Sequence, residues 1–151
     1  MTMTSGSGIL TNVFDHYGPI QTGLGSTRHN GVLVSMVPGK ILGYALFTLQ
    51  ERGRLFVSPA TEVYEGMIVG LHSRDNDLVV NPTKAKQLTN VRASGTDEAI
   101  NLTPPVKHTL EQALEFIEDD ELVEVTPISI RLRKKLLTEN ERKRSKPKKS
   151  S

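Results

Sequence analysis

The 151-residue sequence contains no cysteine, which excludes disulfide bonds, thiolate zinc sites and cysteine nucleophiles. It also contains no run of about 18 uncharged apolar residues, the length that a transmembrane helix requires. The first residues, MTMTSGSGIL, lack the basic-then-apolar pattern of a secretory signal peptide. These absences predict a cytoplasmic protein of about one domain that does not enter a membrane.

Motifs for catalysis, metal binding and nucleotide binding are absent as well. His72, Ser73 and Asp75 are neighbours in sequence, whereas a catalytic triad needs groups that converge from separate segments. No glycine-flanked nucleophile elbow is present, and no glycine-rich loop ends in Gly-Lys-Ser/Thr. The four histidines show no paired ligand spacing, and the acids of Asp75–Asp77 lack the glycine and glutamate of a calcium loop. The sequence therefore predicts no catalytic residue, metal site or cofactor in this chain.

Positive charge is concentrated at the C-terminal end. Residues 131–151 contain ten Lys/Arg and two Glu, whereas the rest of the chain contains nine Lys/Arg and fifteen Asp/Glu. Seven of those acids lie between Glu111 and Glu124 with no basic residue among them. This asymmetry indicates a polyanionic partner for the basic end, with a solubilising tail as the alternative.

The hydrophobic pattern predicts a mainly β (α+β) fold. The segment ILTNVFDHY alternates loosely and predicts a strand that ends at Gly18. GVLVSM and KILGYALF flank Val37-Pro38-Gly39 and predict a hairpin, while RLFVSP and GMIVGLH predict two more strands. We expect a curled antiparallel sheet or partly open barrel, with one amphipathic helix and one long polar loop.

The helix is predicted near residue 110. Thr109 is a natural N-cap with Gln112 three residues later, the spacing of a capping box. Its apolar stripe consists of Leu110, Ala113, Leu114 and Ile117. Beyond it, PISIRLRKK alternates between apolar and basic residues and predicts a strand with one buried and one basic face. Thr138 and Glu141 are spaced to cap a short helix, and the lysine-rich remainder is expected to be disordered.

The stretch from Leu71 to Ala99 is long, polar and mixed in charge. Cations within it supply point charges for phosphates, and the amides between them supply hydrogen bonds for sugars and base edges. Because this loop has no aromatic residue, base stacking is not available there. The residues alone leave two readings open, a backbone-directed contact to structured RNA and an inert loop.

Several blocks are long and distinctive, among them GYALFTLQERGRLFV, EVYEGMIVGLHSRDNDLVVN, KQLTNVRASGTDEA and LTPPVKHTLEQALEFIEDDELVEVTPISIRLRKKLLTENERKR. They resemble the C-terminal part of the TypA/BipA family of bacterial translational GTPases. The resemblance implies four parts: residues 1–20 from a region like the fifth domain of elongation factor G, a linker at 21–30, the family's C-terminal domain at 31–137, and a basic tail at 138–151. The GTPase domain, and with it GTP and magnesium, is expected outside this chain, so the chain itself is expected not to be an enzyme.

The same resemblance implies a ribosome-binding module of a GTPase that serves ribosome assembly, or biogenesis, and the response to cold and other stress. Its expected partners are large-subunit ribosomal RNA and the acceptor end of an A-site tRNA, with ribosomal proteins as further candidates, and the chain is expected to be a monomer. The long loop is then an RNA-reaching finger. The expected RNA contacts are Arg74, Lys84, Lys86, Gln87, Asn90, Arg92, Arg131, Arg133, Lys134 and Lys135.

Two other hypotheses remain at this stage. In one, the acidic residues from Glu118 to Glu121 dock a basic ribosomal protein or assembly factor, which would make the chain a protein-interaction module. In the other, the chain is an inert gene remnant.

Overall fold

The computed structural model describes residues 7–9, 11–18, 28–85 and 101–145. Within this part of the chain the protein is mainly β, with eight strands and three helices. In chain order they are β1 (Val32–Ser35), β2 (Gly39–Lys40), α1 (Gly43–Leu49), β3 (Gly53–Leu55), β4 (Glu62–Val63), β5 (Met67–His72), β6 (Leu78–Val80), α2 (Leu110–Phe116), β7 (Glu121–Val125), β8 (Ile130–Lys134) and α3 (Glu139–Ser145). None of these helices has the length and apolar character needed to cross a membrane.

Strand β5 is the centre of the main sheet, whose order is β6-β1-β5-β8-β7 with β3 also paired to β5. β1 lies along one edge of β5, and the other edge is shared by β3, opposite Gly70–His72, and β8, opposite Met67 and Ile68. Of these pairings only β1–β6 is parallel. The sheet does not close into a barrel, so the expected mainly β fold with a curled, largely antiparallel sheet is confirmed.

The two faces of the sheet carry separate hydrophobic clusters. Leu33 packs with Leu46 of α1 on one face, whereas Val32 and Val34 pack with Ala113 of α2 on the other. Because successive side chains of a strand point to opposite faces, β1 is buried on both sides and the two helices cover opposite faces. Fully burying an aliphatic side chain is worth about 1.5–3 kcal/mol, so these clusters are the main source of stability.

The hairpin predicted for residues 31–47 is wrong, because most of its second strand is helix α1. The segment KILGYALF begins in β2, which pairs with β4 rather than with β1, and then becomes helical. Ala45, Leu46 and Leu49 are buried in the helix, and their spacing brings all three to the core only on a helical path. The aromatic and β-branched residues of the segment favoured a strand, but tertiary packing overrides that propensity.

Helix α2 begins where the sequence predicts. Thr109 Oγ1 accepts a hydrogen bond from the Gln112 backbone N–H at 3.3 Å, and Gln112 Oε1 accepts one from the Thr109 N–H at 3.0 Å, which confirms the capping box. The predicted apolar stripe is only partly right. Ala113 is buried, but Leu114 is 56% exposed, and the inward face is completed by Phe116 and Ile117 at the end of the helix.

The strand predicted for residues 9–17 is not formed within the described residues 7–9 and 11–18. Val13 and Tyr17 are each 93% exposed. A strand needs a partner for its backbone hydrogen bonds, and this segment pairs with no other described strand.

The short helix that the spacing of Thr138 and Glu141 predicts is present at the C-terminal end. Residues Glu139–Ser145 form α3, which extends into the basic residues of the tail. Glu141 N–H donates to Thr138 Oγ1 at 3.3 Å, and Thr138 N–H donates to Glu141 Oε2 at 3.2 Å, as in a capping box. Residues 146–151 lie outside the described part of the chain.

Gly66 fixes the end of β8 beside the start of β5. Its carbonyl accepts a hydrogen bond from the Lys134 N–H at 2.9 Å. Its φ is +88°, and a Cβ placed there would lie 2.7 Å from the Leu137 Cα. Only glycine takes this conformation without strain or a clash, so the turn holds Lys134 and the following residues in a defined position.

Candidate nucleic-acid interface

Strand β8 and the residue after it carry four of the predicted RNA contacts, which the structure separates into two groups. β8 pairs with β7 along its whole length, from Ile130 opposite Val125 to Lys134 opposite Glu121. Arg131 and Arg133 are half-buried and Lys135 is exposed, and we call these three residues the outward cations. Lys134 is 2% exposed, so it belongs to the interior.

The expectation that Lys134 contacts phosphate is therefore wrong. Its ammonium nitrogen lies 2.7 Å from Asp77 Oδ2, 2.9 Å from Glu121 Oε1 and 3.0 Å from Asp120 Oδ2. The physical reason is the two-residue period of a strand, which puts Lys134 on the same side as the buried Leu132. A cation enclosed by three carboxylates has no face left for RNA.

Arg28 completes this arrangement from the segment before β1. Its two terminal nitrogens donate to the two Glu121 carboxylate oxygens at 2.8 and 2.9 Å, and one also lies 3.1 Å from Glu118. Its guanidinium carbon is 4.6 Å from the Phe116 ring centroid, a cation–π distance. We call Arg28, Asp77, Asp120, Glu121 and Lys134 the buried charge cluster, which joins four separate segments of the chain; Asp120 lies at its solvent-exposed edge.

Mutual pairing dominates the ionisation of this cluster. Burial alone would lower the pKa of Lys134, but its bonds to Asp77, Glu121 and Asp120 outweigh burial and raise that pKa above 10.5. Burial would raise the pKa values of Asp77 and Glu121, yet the bonds to Lys134, and for Glu121 also to Arg28, hold them below 3.8 and 4.5. Lys134, Asp77 and Glu121 are therefore charged at neutral pH.

Metal binding at this place is disfavoured by the same contacts. Oxygens of Glu118, Asp120 and Glu121 lie within 4.8 Å of one another, a spacing that suits a cation. The Lys134 ammonium and the Arg28 guanidinium already contact these carboxylates, so part of their negative charge is offset by the protein itself.

The acidic run from Glu118 to Glu121 lies between α2 and β7. α2 ends at Phe116, and Glu121 is the first residue of β7. Glu121 is 1% exposed and cannot dock a partner. Glu118 is half-buried and Asp119 and Asp120 are exposed, so a basic protein could contact only these three acids of the run.

The outward cations have few competing carboxylates among the described residues. Arg131 lies 3.9 Å from Glu124 Oε1, a long ion pair, and Arg133 Nη1 donates to the Lys134 carbonyl at 3.3 Å. Glu124 also accepts a hydrogen bond from the Tyr64 hydroxyl. Burial, together with this bond to a carboxylate, raises the pKa of Tyr64 to about 12. The basic side of β8 therefore retains charge for an external anion.

Arg74 lies in the turn between β5 and β6 with its side chain exposed. The turn is held from inside, because the Arg74 carbonyl accepts the Gly31 N–H at 2.8 Å and the His72 carbonyl accepts the Asn30 side-chain amide at 3.1 Å. The neighbouring Asp77 accepts the Val32 N–H at 2.9 Å. The structure thus presents Arg74 on a well-fixed turn, well connected to β1.

Lys84 is exposed just beyond β6 and lines a groove against α1. The groove has a volume of 540 Å³, and its walls include Tyr44, Thr48, Arg52 and Asn81. The remaining predicted loop contacts, Lys86, Gln87, Asn90 and Arg92, lie outside the described residues.

Tyr44 and Arg52 are lining residues that the sequence reasoning missed. A usable signal was present for Tyr44, which lies four residues before Thr48 and so shares one face of a helix with it, whereas Arg52 lies in the turn after α1. Because this segment was predicted to be a strand, the four-residue spacing typical of a helix face was not considered.

Comparison with known proteins identifies the family of this chain. A family model described as the TypA/BipA C-terminal domain matches residues 30–139. A large ribosomal subunit assembly factor BipA from Haemophilus influenzae is 65% identical over 145 residues, which are 96% of this chain and 24% of that protein. Proteins of the same name from Salmonella typhimurium and Escherichia coli K12 are 61% identical over the same shares. The chain spans about a quarter of the length of these curated relatives, and it belongs to the TypA/BipA family.

Proposed function

We propose that this chain is a ribosome-binding module that acts in assembly of the large ribosomal subunit. The observation that carries the proposal is the 61–65% identity, over 96% of the chain, to proteins named as large ribosomal subunit assembly factors. Identity at this level implies a shared fold and a largely shared surface, so the binding role is expected to transfer with it.

The distribution of charge supports RNA as the direct partner. Arg74, Lys84 and the outward cations present positive charge on the described surface, whereas Asp77 and Glu121 are turned inward onto Lys134 and Arg28. Contacts from Arg and Lys to phosphates supply most of the affinity of a sequence-independent nucleic-acid complex. The module therefore binds through its outward basic residues, and the buried acids do not repel the RNA at short range.

At finer detail, we place large-subunit ribosomal RNA and the acceptor end of a tRNA among the targets. Lys86, Gln87, Asn90 and Arg92 would act with Lys84 as an RNA-contacting finger, and ribosomal proteins would be secondary partners. In a longer protein containing this module, GTP and magnesium would bind in another domain. The cellular role would then be ribosome biogenesis, with an importance that increases under cold or other stress.

Co-sedimentation with purified ribosomal subunits across a salt series tests the proposal. The chain is expected to sediment with the large subunit at low salt and to dissociate as salt rises. Replacing the outward cations Arg131, Arg133 and Lys135 with Ala should make the negative slope of log K against log salt shallower by about 2.1–2.7 units, because each lost phosphate contact removes about 0.7–0.9.

A matched triple variant supplies the control. Lys40, Arg54 and Lys107 are also exposed, and their replacement by Ala changes net charge by the same amount without touching the proposed contacts. If both triple variants lose the same affinity, binding reflects net charge alone and the assignment to β8 is wrong. If the unaltered chain does not sediment with the large subunit even at low salt, the proposed function is wrong for this chain.

A further inference from the structure

The groove between α1 and the residues after β6 combines three features that nucleotide sites use. Its volume of 540 Å³ lies within the range of about 300–1,000 Å³ typical of small-ligand sites. Leu49, Leu78 and Val80 contribute apolar surface to its walls. Arg52 and Lys84 also line it, and among the described residues no carboxylate does.

Tyr44 supplies the aromatic surface that the long loop lacks. It lines the groove on the first turn of α1 and is 36% exposed. Its hydroxyl makes no hydrogen bond to any other described residue, so the ring is held by packing and by the helix backbone. A half-exposed aromatic ring beside cations is the arrangement on which proteins stack unpaired bases.

Asn81 adds a polar group at the same place. Its Oδ1 accepts hydrogen bonds from the Thr83 N–H at 3.0 Å and from the Thr83 hydroxyl at 2.8 Å. These bonds fix the side chain, and its amide nitrogen has no acceptor within the described part of the chain. That nitrogen can donate to the edge of a base or to a ribose oxygen.

We propose that this groove holds one unstacked nucleotide of a single-stranded RNA segment, with the base on the Tyr44 ring and the adjacent phosphates on Arg52 and Lys84. The assignment rests on the proposed function and makes it more specific, because it adds a base-stacking position to a surface otherwise expected to contact phosphates. Charge complementarity selects the occupant, since the described part of the lining carries two cations and no carboxylate, which favours a polyanion over an apolar peptide.

Fluorescence titration with a short oligoadenylate that carries one 2-aminopurine tests the site. Stacking on Tyr44 should quench the fluorescence of the wild-type complex. Tyr44→Ala should weaken binding about 5- to 150-fold, the range that one stacked base contributes, whereas Tyr44→Phe should keep the ring and most of the affinity. In the Arg52→Ala/Lys84→Ala double variant, the negative slope of log K against log salt should become shallower by about 1.4 units.

Phe47→Ala is the matched control. Phe47 is on the same helix and is 38% exposed, close to the exposure of Tyr44, but it does not line the groove. Urea unfolding of each variant verifies that it is folded before binding is measured. Equal loss of affinity in Tyr44→Ala and Phe47→Ala, or no loss in Tyr44→Ala, would overturn the proposal.

Two further measurements distinguish a free nucleotide from an RNA segment as the ligand, and binding in the groove from binding to the ribosome. 2-Aminopurine riboside monophosphate should bind more weakly than the oligonucleotide; equal affinity would mean a free nucleotide and overturn the RNA assignment. Large-subunit co-sedimentation is measured on the same variants. Sedimentation without Tyr44-dependent quenching overturns the groove alone, whereas Tyr44-dependent quenching without sedimentation supports the groove and contradicts ribosome binding.

Discussion

Lys134 and Lys135 are neighbours in the sequence, yet one lies in the buried charge cluster and the other belongs to the outward cations. Lys134 is 2% exposed and contacts three carboxylates, whereas Lys135 is exposed and uses only its backbone N–H, which donates to the Asp120 carbonyl at 2.8 Å. The same side-chain chemistry therefore serves structure at one position and is available for binding at the next.

The difference follows from solvation. Moving an ammonium from water into the interior costs several kcal/mol, and only well-placed carboxylates with good geometry offset that cost. Asp77 and Glu121 offset that cost for Lys134. Because they pair with Lys134, their carboxylates are not available to an external partner. An exposed cation keeps its water until a phosphate replaces it. Counting charges along this sequence thus overestimates both the basic and the acidic surface.

The largest expected effect is on stability. Lys134→Met keeps the length of the side chain but leaves Asp77 and Asp120 without their cation and Glu121 with Arg28 alone. Breaking a buried pair in this way costs about 3–5 kcal/mol, and the free energy of unfolding from urea titration measures it. Lys135→Met is the matched control and should change stability by less than about 0.5 kcal/mol. Equal unfolding midpoints for the two variants would contradict the contrast between the two lysines.

A second effect is the pH dependence of the cluster. The pKa values of Asp77 and Glu121 are lowered, so their contribution is complete above the unfolded values of 3.8 and 4.5 and is lost as the pH falls through the lower folded values. The pKa of Lys134 is raised, so its contribution is complete below 10.5 and is lost only at higher pH. The cluster should therefore contribute a constant amount near neutral pH.

Asp77→Asn tests this dependence, because asparagine still accepts the Val32 N–H but cannot ionise. The variant should unfold at lower urea than the wild type at pH 7, and the two should converge in acid as Asp77 becomes protonated. Asp75→Asn, at an exposed neighbouring acid, is the control and should change the free energy of unfolding at pH 7 by less than about 0.5 kcal/mol. A wild-type advantage over Asp77→Asn that stays constant into acid would show that the charge of Asp77 does not stabilise the fold.

Local signals predicted local structure well. The buried strands β1 and β5 appear in the sequence as short apolar runs, and the spacing of Thr109 and Gln112 marked the first residue of α2. Helix α1 was not predicted because its short apolar segment fits a strand or a helix equally, and its packing against the sheet decides between them. The exposed apolar residues of α2 show the same limit, since periodicity does not reveal which half of a stripe meets the core.

Part of the candidate site was predictable and part was not. The burial of Lys134 could be predicted, because it is two residues after Leu132 in a strand and so faces the same side. The surrounding basic residues suggested an exposed position instead. The pairing of Arg28 with Glu121 joins residues 93 positions apart, and no local pattern in one sequence records such a contact. The groove residues Tyr44 and Lys84 come together only because α1 packs beside β6 and the residues that follow it.

The smallest expected effect on stability concerns Tyr64, which contacts Glu124 on the outward side of the β7–β8 pair. Its hydroxyl donates to Glu124, the residue that also lies near the outward Arg131. Tyr64→Phe removes this one hydrogen bond from a half-buried carboxylate, which should lower the free energy of unfolding by about 1 kcal/mol in urea titration. Glu124 remains partly solvated, so the loss stays well below that expected for Lys134→Met.

Tyr44→Phe is the control for that change, because the Tyr44 hydroxyl has no hydrogen-bond partner within the described residues and its removal should change stability by less than about 0.5 kcal/mol. The Tyr64 variant should also release Glu124 to pair more closely with Arg131 and so weaken ribosome binding slightly. Loss of stability with unchanged binding would mean that Arg131 is not a phosphate contact. If Tyr64→Phe lowers the free energy of unfolding as much as Lys134→Met does, Glu124 behaves as a buried acid. Glu124 would then belong with the buried charge cluster and not with the solvent-exposed side of β8.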